Sequence, residues 1–393
     1  MAVNLTNADS ALKSYYLDAI CEQLNKKANP LLAAIGQSTD NVYGKEVRKF
    51  TTYGMNGGIG AGTEDGALPA AKGNLYSQMV VGLKNLYGTI EISDKAIRAS
   101  ENNSGAFVSL LNAEMEGLVK ASSFNFGRML FGDGTGMVAV VTDDITSDKQ
   151  IPLNDVSALV EGMVIEFVDP MCEVLSHLGV RTVLSVDRKE KTIKISGSFN
   201  NGEIPPETGI CIQGSVNNEI TGLKAIFDTN SYKLYGLDRS KNTWLNPYVN
   251  DSVGEISELT IQKAIDEIEN ESGSTINFIV CSFGVRRALQ ELLSQNRRSL
   301  DTMELAGGFK AMSYNGIPIV ADRFCPEGTM YLLNTEDFTL HQLCDWQWME
   351  GDDGRVLKQV PGKPVYSATL VKYAELICSR PKGQGMLSGI TEA

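Results

Sequence analysis

The side chains best suited to chemistry are few and scattered. Only two histidines occur in 393 residues, His177 and His341. His341 lies near Cys344 and Asp345, residue types that could serve as base, nucleophile and orienting acid. Such a trio works only when the fold aims the nucleophile at the base, and no strand–turn–helix motif surrounds it. Cys172 and His177 are five apart, but the second ligand pair of a tetrahedral zinc site does not accompany them. Asp143-Asp144 and Asp352-Asp353 are of a type that binds calcium, and solvated turn residues are the plainer reading. Two glycine-rich stretches invite a phosphate. Gly57-Gly58-Ile59-Gly60-Ala61-Gly62 and Gly132-Asp133-Gly134-Thr135-Gly136 both lack the dinucleotide spacing, and the second follows a helix instead of opening one. Arg286-Arg287 and Arg297-Arg298 flank one helical stretch and read as a solvated face or the edge of an interface. No catalytic, metal or cofactor site is therefore expected.

Composition agrees. The formal net charge is −13, which argues against a protein whose main work is gripping nucleic acid. With 42% hydrophobic and 21% charged residues the chain is an ordinary globular one of two or three structural units. The seven cysteines form no CxxC pair and read as reduced thiols. Met1 to Ser10 is polar and unlike a signal peptide, and no apolar run reaches the roughly 18 residues of a membrane span. Folding in a cytoplasm is expected.

The elements are more telling than the reactive residues. Residues 11–29 carry Leu12, Tyr16, Ala19, Ile20 and Leu24 at helical spacing, with Pro30 as the expected stop. Residues 45–53 read as a strand and residues 74–93 as strand-like again. Between them, residues 54–73 hold Gly54, Gly57, Gly58, Gly60, Gly62, Gly66 and Gly73. Two strands joined by so long a glycine-rich tip make an extended hairpin arm, and loops of this length are usually functional or mobile. Residues 94–99 read as a short helical turn. A long helix is predicted over 105–131, with Ser104 as N-cap and Gly132 as stop; its stripe runs through Phe107, Leu110, Leu111, Met115, Leu118, Val119, Phe126, Met129 and Leu130. At 1.5 Å per residue it would be about 40 Å long and would need a long sheet or another subunit to cover it. Short β-rich runs at 163–168, 181–186, 192–196 and 210–213 point to a small inserted β-domain, a barrel or a sandwich. Beyond Gly222 the pattern is mixed: helices through Ile256–Ile268 and Val285–Leu293, strands at 277–281, 317–321 and 330–333, and a final β run at 365–378.

In this order the parts resemble the major capsid protein of tailed bacteriophages, the fold shared with encapsulins. The resemblance rests on Leu130-Phe131-Gly132-Asp133-Gly134-Thr135-Gly136 closing a long helix, and on Glu219-Ile220-Thr221-Gly222-Leu223. It rests also on Tyr235-Gly236-Leu237-Asp238-Arg239-Ser240 with Thr243-Trp244, on Asn315-Gly316-Ile317-Pro318-Ile319-Val320, and on Cys325-Pro326-Glu327-Gly328. None is a catalytic signature.

The resemblance implies an α+β capsid fold. Residues 1–45 would be the N-terminal arm and 46–92 the E-loop, lying over a neighbouring subunit. Residues 93–136 and 351–393 would form the peripheral domain with its spine helix, 137–215 the inserted β-domain, and 216–350 the axial domain. It implies a structural protein, not an enzyme, whose copies close into pentamers and hexamers of an icosahedral head. Such a head is a virion shell, assembled in a bacterial host's cytoplasm, that encloses double-stranded DNA without reading its sequence. Scaffolding, portal and decoration proteins are the further partners of that reading. The arm begins close to Met1, so any scaffolding is expected to be a separate protein or a segment already removed. Inter-subunit contacts are expected at Tyr53, Met55, Gly57, Gly58, Leu68, Lys72 and Tyr76. Lys72 and Lys84 mark no reactive pair, and no cross-link is predicted. The alternatives are an encapsulin-like or gene-transfer shell protein, which would share the fold, and a tail or decoration protein, which would not need the long helix.

Overall fold

The computed structural model describes residue 13 and residues 17–393, apart from 28, 96–103, 144, 146–149, 200–201, 296–301, 306–307 and 352–353. Its centre is the long strand Val365–Cys378. Phe338–Trp348 runs antiparallel along one side and Lys84–Ser93 along the other, while Gly36–Ser38 adds a parallel strand beyond Phe338–Trp348. The helix Ser104–Met129 lies over this sheet. Met115, Leu118, Val119, Phe126 and Met129 are buried in one core with Leu86, Ile90 and Leu370, so the chain itself covers the described part of the stripe. Gly88 lets the helix approach, because a Cβ there would strike the Leu118 side chain.

Two of the expected boundaries move. Pro30 does not simply end the N-terminal helix. The helix Leu17–Glu22 passes into a π turn at Gln23–Lys27, and Pro30 then opens a new helix, Pro30–Ala34. Proline suits a first helical position, where no amide partner is needed, and Asn29 Oδ1 caps the new turn by accepting from Leu31 N at 2.8 Å. Leu12 and Tyr16 lie outside the described residues. Likewise residues 74–93 are two strands. Leu75–Gly82 pairs with Glu46–Tyr53 to make the arm, whereas Lys84–Ser93 leaves it and joins the long strand. Both runs have β patterning, so the sequence alone did not show the change of partner at Leu83.

Residues 137–212 build a second core. Six strands follow the order Met137–Val140, Gly209–Ile212, Val164–Val168, Arg181–Asp187, Thr192–Ile195 and Gln150–Pro152. A bridge from Val141 to Leu153 joins the last strand back to the first, so the expected barrel or sandwich is a closed barrel. Its interior holds Ile151, Leu159, Ile165, Phe167, Val183 and Ile193. The chain enters and leaves this barrel through left-handed glycines, Gly134, Gly136 and Gly214. A third core lies between a seven-stranded mixed sheet and the helices Glu258–Ser272 and Phe283–Gln295. The first of these helices is capped by Ser257 at its start and by left-handed Gly273 at its end.

Candidate assembly site

The arm is a regular antiparallel ladder with two unequal faces. Val47, Thr51 and Met79 point inward and are buried. Phe50, Tyr76 and Val80 point outward, Phe50 being 68% exposed. The root is held by the body. Tyr53 stacks on Trp244 with ring centroids 5.5 Å apart. Val80 N donates to Tyr235 O at 3.3 Å, and the Tyr235 hydroxyl accepts from Cys378 N at 3.0 Å. Lys49 is half-buried here, and burial lowers the proton affinity of its amine. Burial raises that of the Asp337 carboxyl nearby, which accepts from Gln384 Nε2 at 3.0 Å. A cleft of about 660 Å³ opens between the root and the body, lined by Phe50, Tyr53, Met55, Trp244, Arg380 and Lys382 among others.

Beyond Tyr53 the chain has no such support. Residues 54–76 are exposed apart from half-buried Gly58. The loop's contacts are with itself: Asn56 Nδ2 donates to Asn74 Oδ1 at 3.1 Å, Gly58 N donates to Asn56 Oδ1 at 2.9 Å, and the Lys72 side chain lies across Gly57. Met55 is 84% exposed, Ile59 77% and Leu68 90%. Tyr76 is exposed, and its hydroxyl accepts from Asn74 Nδ2 at 3.3 Å. Thus the expected contact residues divide. Tyr53 belongs to the root, Gly57, Gly58 and Lys72 brace the loop, and Met55, Leu68 and Tyr76 offer surface. Only Gly54 among the loop glycines takes a positive φ, at 70°, where the ladder gives way to the tip.

The long helix and the long strand are tied together through residues 219–223. Arg128, in the last turn of the helix, forms a buried fork with Glu219, Nη1 to Oε2 being 2.9 Å. Leu223 N donates to Leu130 O at 2.8 Å. Gly222 is wedged where a Cβ would collide with the carbonyls of Met129, Leu130 and Gly132. Thr221 N donates to Glu375 Oε1 at 2.6 Å. Glu375 is fully buried on the long strand; burial raises its carboxyl to about 7, and Oε2 has no partner among the described residues. A second buried group, Lys372, donates to Asn25, Gln37 and Asp345 at 3.0, 3.2 and 3.0 Å, and so pins the N-terminal segment to the sheet.

The residues that suggested chemistry are engaged elsewhere. His341 is buried in the strand Phe338–Trp348, with Nδ1 3.0 Å from Asp40 O, and burial lowers its basicity. Asp345 accepts from Lys372 and Asn25, while burial raises the thiol of Cys344. Arg287 donates to Ala393 O, and Arg286 lies over the Phe283 ring. Asp144, Arg297, Arg298, Asp352 and Asp353 lie outside the described residues. Among the described residues no helix is long and apolar enough to cross a membrane, and no group of three acidic, His or Cys side chains could hold a metal.

No family model matches the sequence, and no curated protein does. Solved structures do. The capsid asymmetric unit of cyanophage A-1(L) matches with a TM-score of 0.53 at 12% identity, over 94% of this chain and 92% of that one. The capsid of a native GTA particle gives 0.47 at 10% identity over 93% and 91%, and the holo-SrpI encapsulin complex of Synechococcus elongatus gives 0.45 at 9% over 91% and 85%. The cyanophage chain carries the assignment. Across nearly its whole length, this polypeptide has the fold of the tailed-phage major capsid proteins.

Proposed function

We propose that this chain is a shell-forming subunit. Its copies close into rings of five and six, and the rings build an icosahedral head around double-stranded DNA. The single observation that carries the reading is the arm: an ordered ladder, rooted on Trp244 and Tyr235, that ends in a loop whose Met55, Ile59 and Leu68 its own chain leaves in water. Exposed apolar groups on an extended arm gain free energy only when a second surface covers them. The cyanophage capsid chain of the same fold supports a copy of this protein as that surface. Residues 46–82 are then the E-loop laid over a neighbour, and Met55, Leu68 and Tyr76 are its contacts. The barrel at 137–212 stands as an added domain on the shell.

The experiment is to express the chain and view it by negative-stain microscopy, next to a variant lacking residues 57–72. Wild type should give shells or rings. The deletion should leave a folded subunit, because the loop bonds mainly to itself, yet abolish stable shells. Normal shells from the deletion would refute the arm's role. Compact monomers from wild type would refute the shell reading altogether. Nuclease-resistant DNA inside purified shells separates a phage head from a shell that holds protein.

A further inference from the structure

Among the described residues, the strand Lys84–Ser93 pairs with the long strand on one side and with no strand on the other. On one side it is bonded to the long strand throughout, from Lys84 opposite Ala374 to Ser93 opposite Val365. Asp94 N donates to Pro364 O at 2.9 Å, one step beyond that register. In an antiparallel ladder the bonded residues alternate. Counting back from Asp94, the main-chain groups of Asn85, Tyr87, Thr89 and Glu91 therefore point away from the long strand. They take no partner among the described residues, and their side chains are all exposed. An unprotected regular edge invites another strand, and natural proteins usually blunt it with proline, a bulge or inward-pointing charge. Here the ladder shows no register shift, and the stretch from Asn85 to Ile92 has no proline and only Glu91 as a charge, facing outward.

The residue order suggests what that strand is. When this edge meets an identical edge antiparallel about Thr89, Thr89 faces Thr89. Tyr87 then faces Glu91, Leu86 faces Ile92, and Lys84 faces Asp94. Thr89 with Thr89 and Tyr87 with Glu91 are the exposed pairs, and no like charges meet, whereas Leu86 and Ile92 are already buried in their own core and Lys84 already donates to Asn217 O at 2.7 Å. Antiparallel pairing of two identical strands also has twofold symmetry by construction, as an isologous contact requires.

We propose that this edge pairs with the same edge of a second copy across a twofold axis centred on Thr89, extending the sheet from one subunit into the next. The proposal rests on the shell reading and assigns the edge to contacts between rings, since contacts within a ring are head-to-tail.

The test is the Thr89→Cys variant, oxidised as assembled shells alongside wild type, whose own seven cysteines set the background. Bonded antiparallel partners have Cα atoms about 5.5 Å apart, within the range a disulfide spans. The expected result is a disulfide dimer through position 89 in shells, absent from wild type and from dilute rings. A second variant, Thr89→Lys, gives up one exposed hydrogen bond, between the Thr89 and Thr369 hydroxyls at 3.3 Å, and sets two ammonium groups against each other at every twofold contact. It should still form rings but give at least about tenfold fewer shells. Shells of the cysteine variant that stay monomeric on oxidation, or that cross-link to a different segment, would overturn the pairing. So would wild-type shell yield from Thr89→Lys. If wild type made no shells, the parent reading and this one would fall together; shells without the dimer sink this one alone.

Discussion

Glu375→Gln offers a measurement of the joint between the long strand and residues 219–223. The wild-type carboxyl is raised by burial from 4.5 to about 7. At about 1.4 kcal/mol for each tenfold change in proton affinity, the charged form is disfavoured in the folded chain by roughly 3 kcal/mol. The sign follows from proton counting. Between pH 4.5 and about 7 the folded protein holds a proton that the unfolded chain has released, so stability falls as pH rises through that window. Above it the full penalty is present; below it there is none. Glutamine keeps the oxygen that accepts from Thr221 and Leu376, and removes the charge. It also puts an amide where Oε2 has no partner, which costs on the order of 1 kcal/mol. The variant should therefore be about 2 kcal/mol more stable than wild type at pH 8.5, and slightly less stable at pH 4.5. Urea unfolding of unassembled subunits at a series of pH values reads both ends. Asp322, raised by burial to about 6, contributes equally to both proteins and cancels in the difference. Two curves that run parallel from pH 4.5 to 8.5 would refute the reasoning, because they would mean that Glu375 is not charged at a cost in the fold.

Two further substitutions probe the same joint. Arg128→Ala should cost about 3–5 kcal/mol by leaving Glu219 buried and unpaired, and Arg128→Met with Glu219→Leu should recover most of it; denaturant midpoints decide, and an unchanged single mutant would sink the claim. Gly222→Ala should lose at least about 3 kcal/mol because the carbonyls of Met129, Leu130 and Gly132 are fixed by the helix end, and a melting temperature within a degree of wild type would contradict the wedge.

How far the sequence spoke can be judged from particular residues. The long strand Val365–Cys378 and the strands Ile317–Ala321 and Met330–Leu333 were legible to the residue, because mostly buried, largely apolar runs bounded by turns leave little freedom. The quoted motifs turn out to be turn chemistry. Asn315-Gly316 and Tyr235-Gly236 both take positive φ in two-residue hairpin turns, and buried Arg239 donates to the carbonyls of Ala225, Ile226 and Leu245. The strand Phe338–Trp348 was missed. Leu340, Trp346 and Trp348 alternate on its buried face, but Gln342 broke the apolar pattern, and His341, Cys344 and Asp345 drew attention as chemistry instead. Glu375 and Lys372 were invisible for a different reason. Each sits in a plain β run, and its burial depends on partners more than 100 residues away.

The joint also constrains how one sequence could serve two ring sizes. Every residue from Glu219 to Leu223 is buried or bonded against the helix end or the long strand, and Gly222 has no room to slide. Packed elements of this kind are bistable at best and do not bend continuously. Small differences in closing angle must then be absorbed elsewhere. The arm tip is the place with slack: its loop is braced by its own hydrogen bonds, turns at left-handed Gly54, and carries no buried apolar side chain. On the proposed shell reading, such a subunit would change angle by swinging the arm laid on its neighbours, while the sheet, the helix and the chain segment threaded between them would move as one piece.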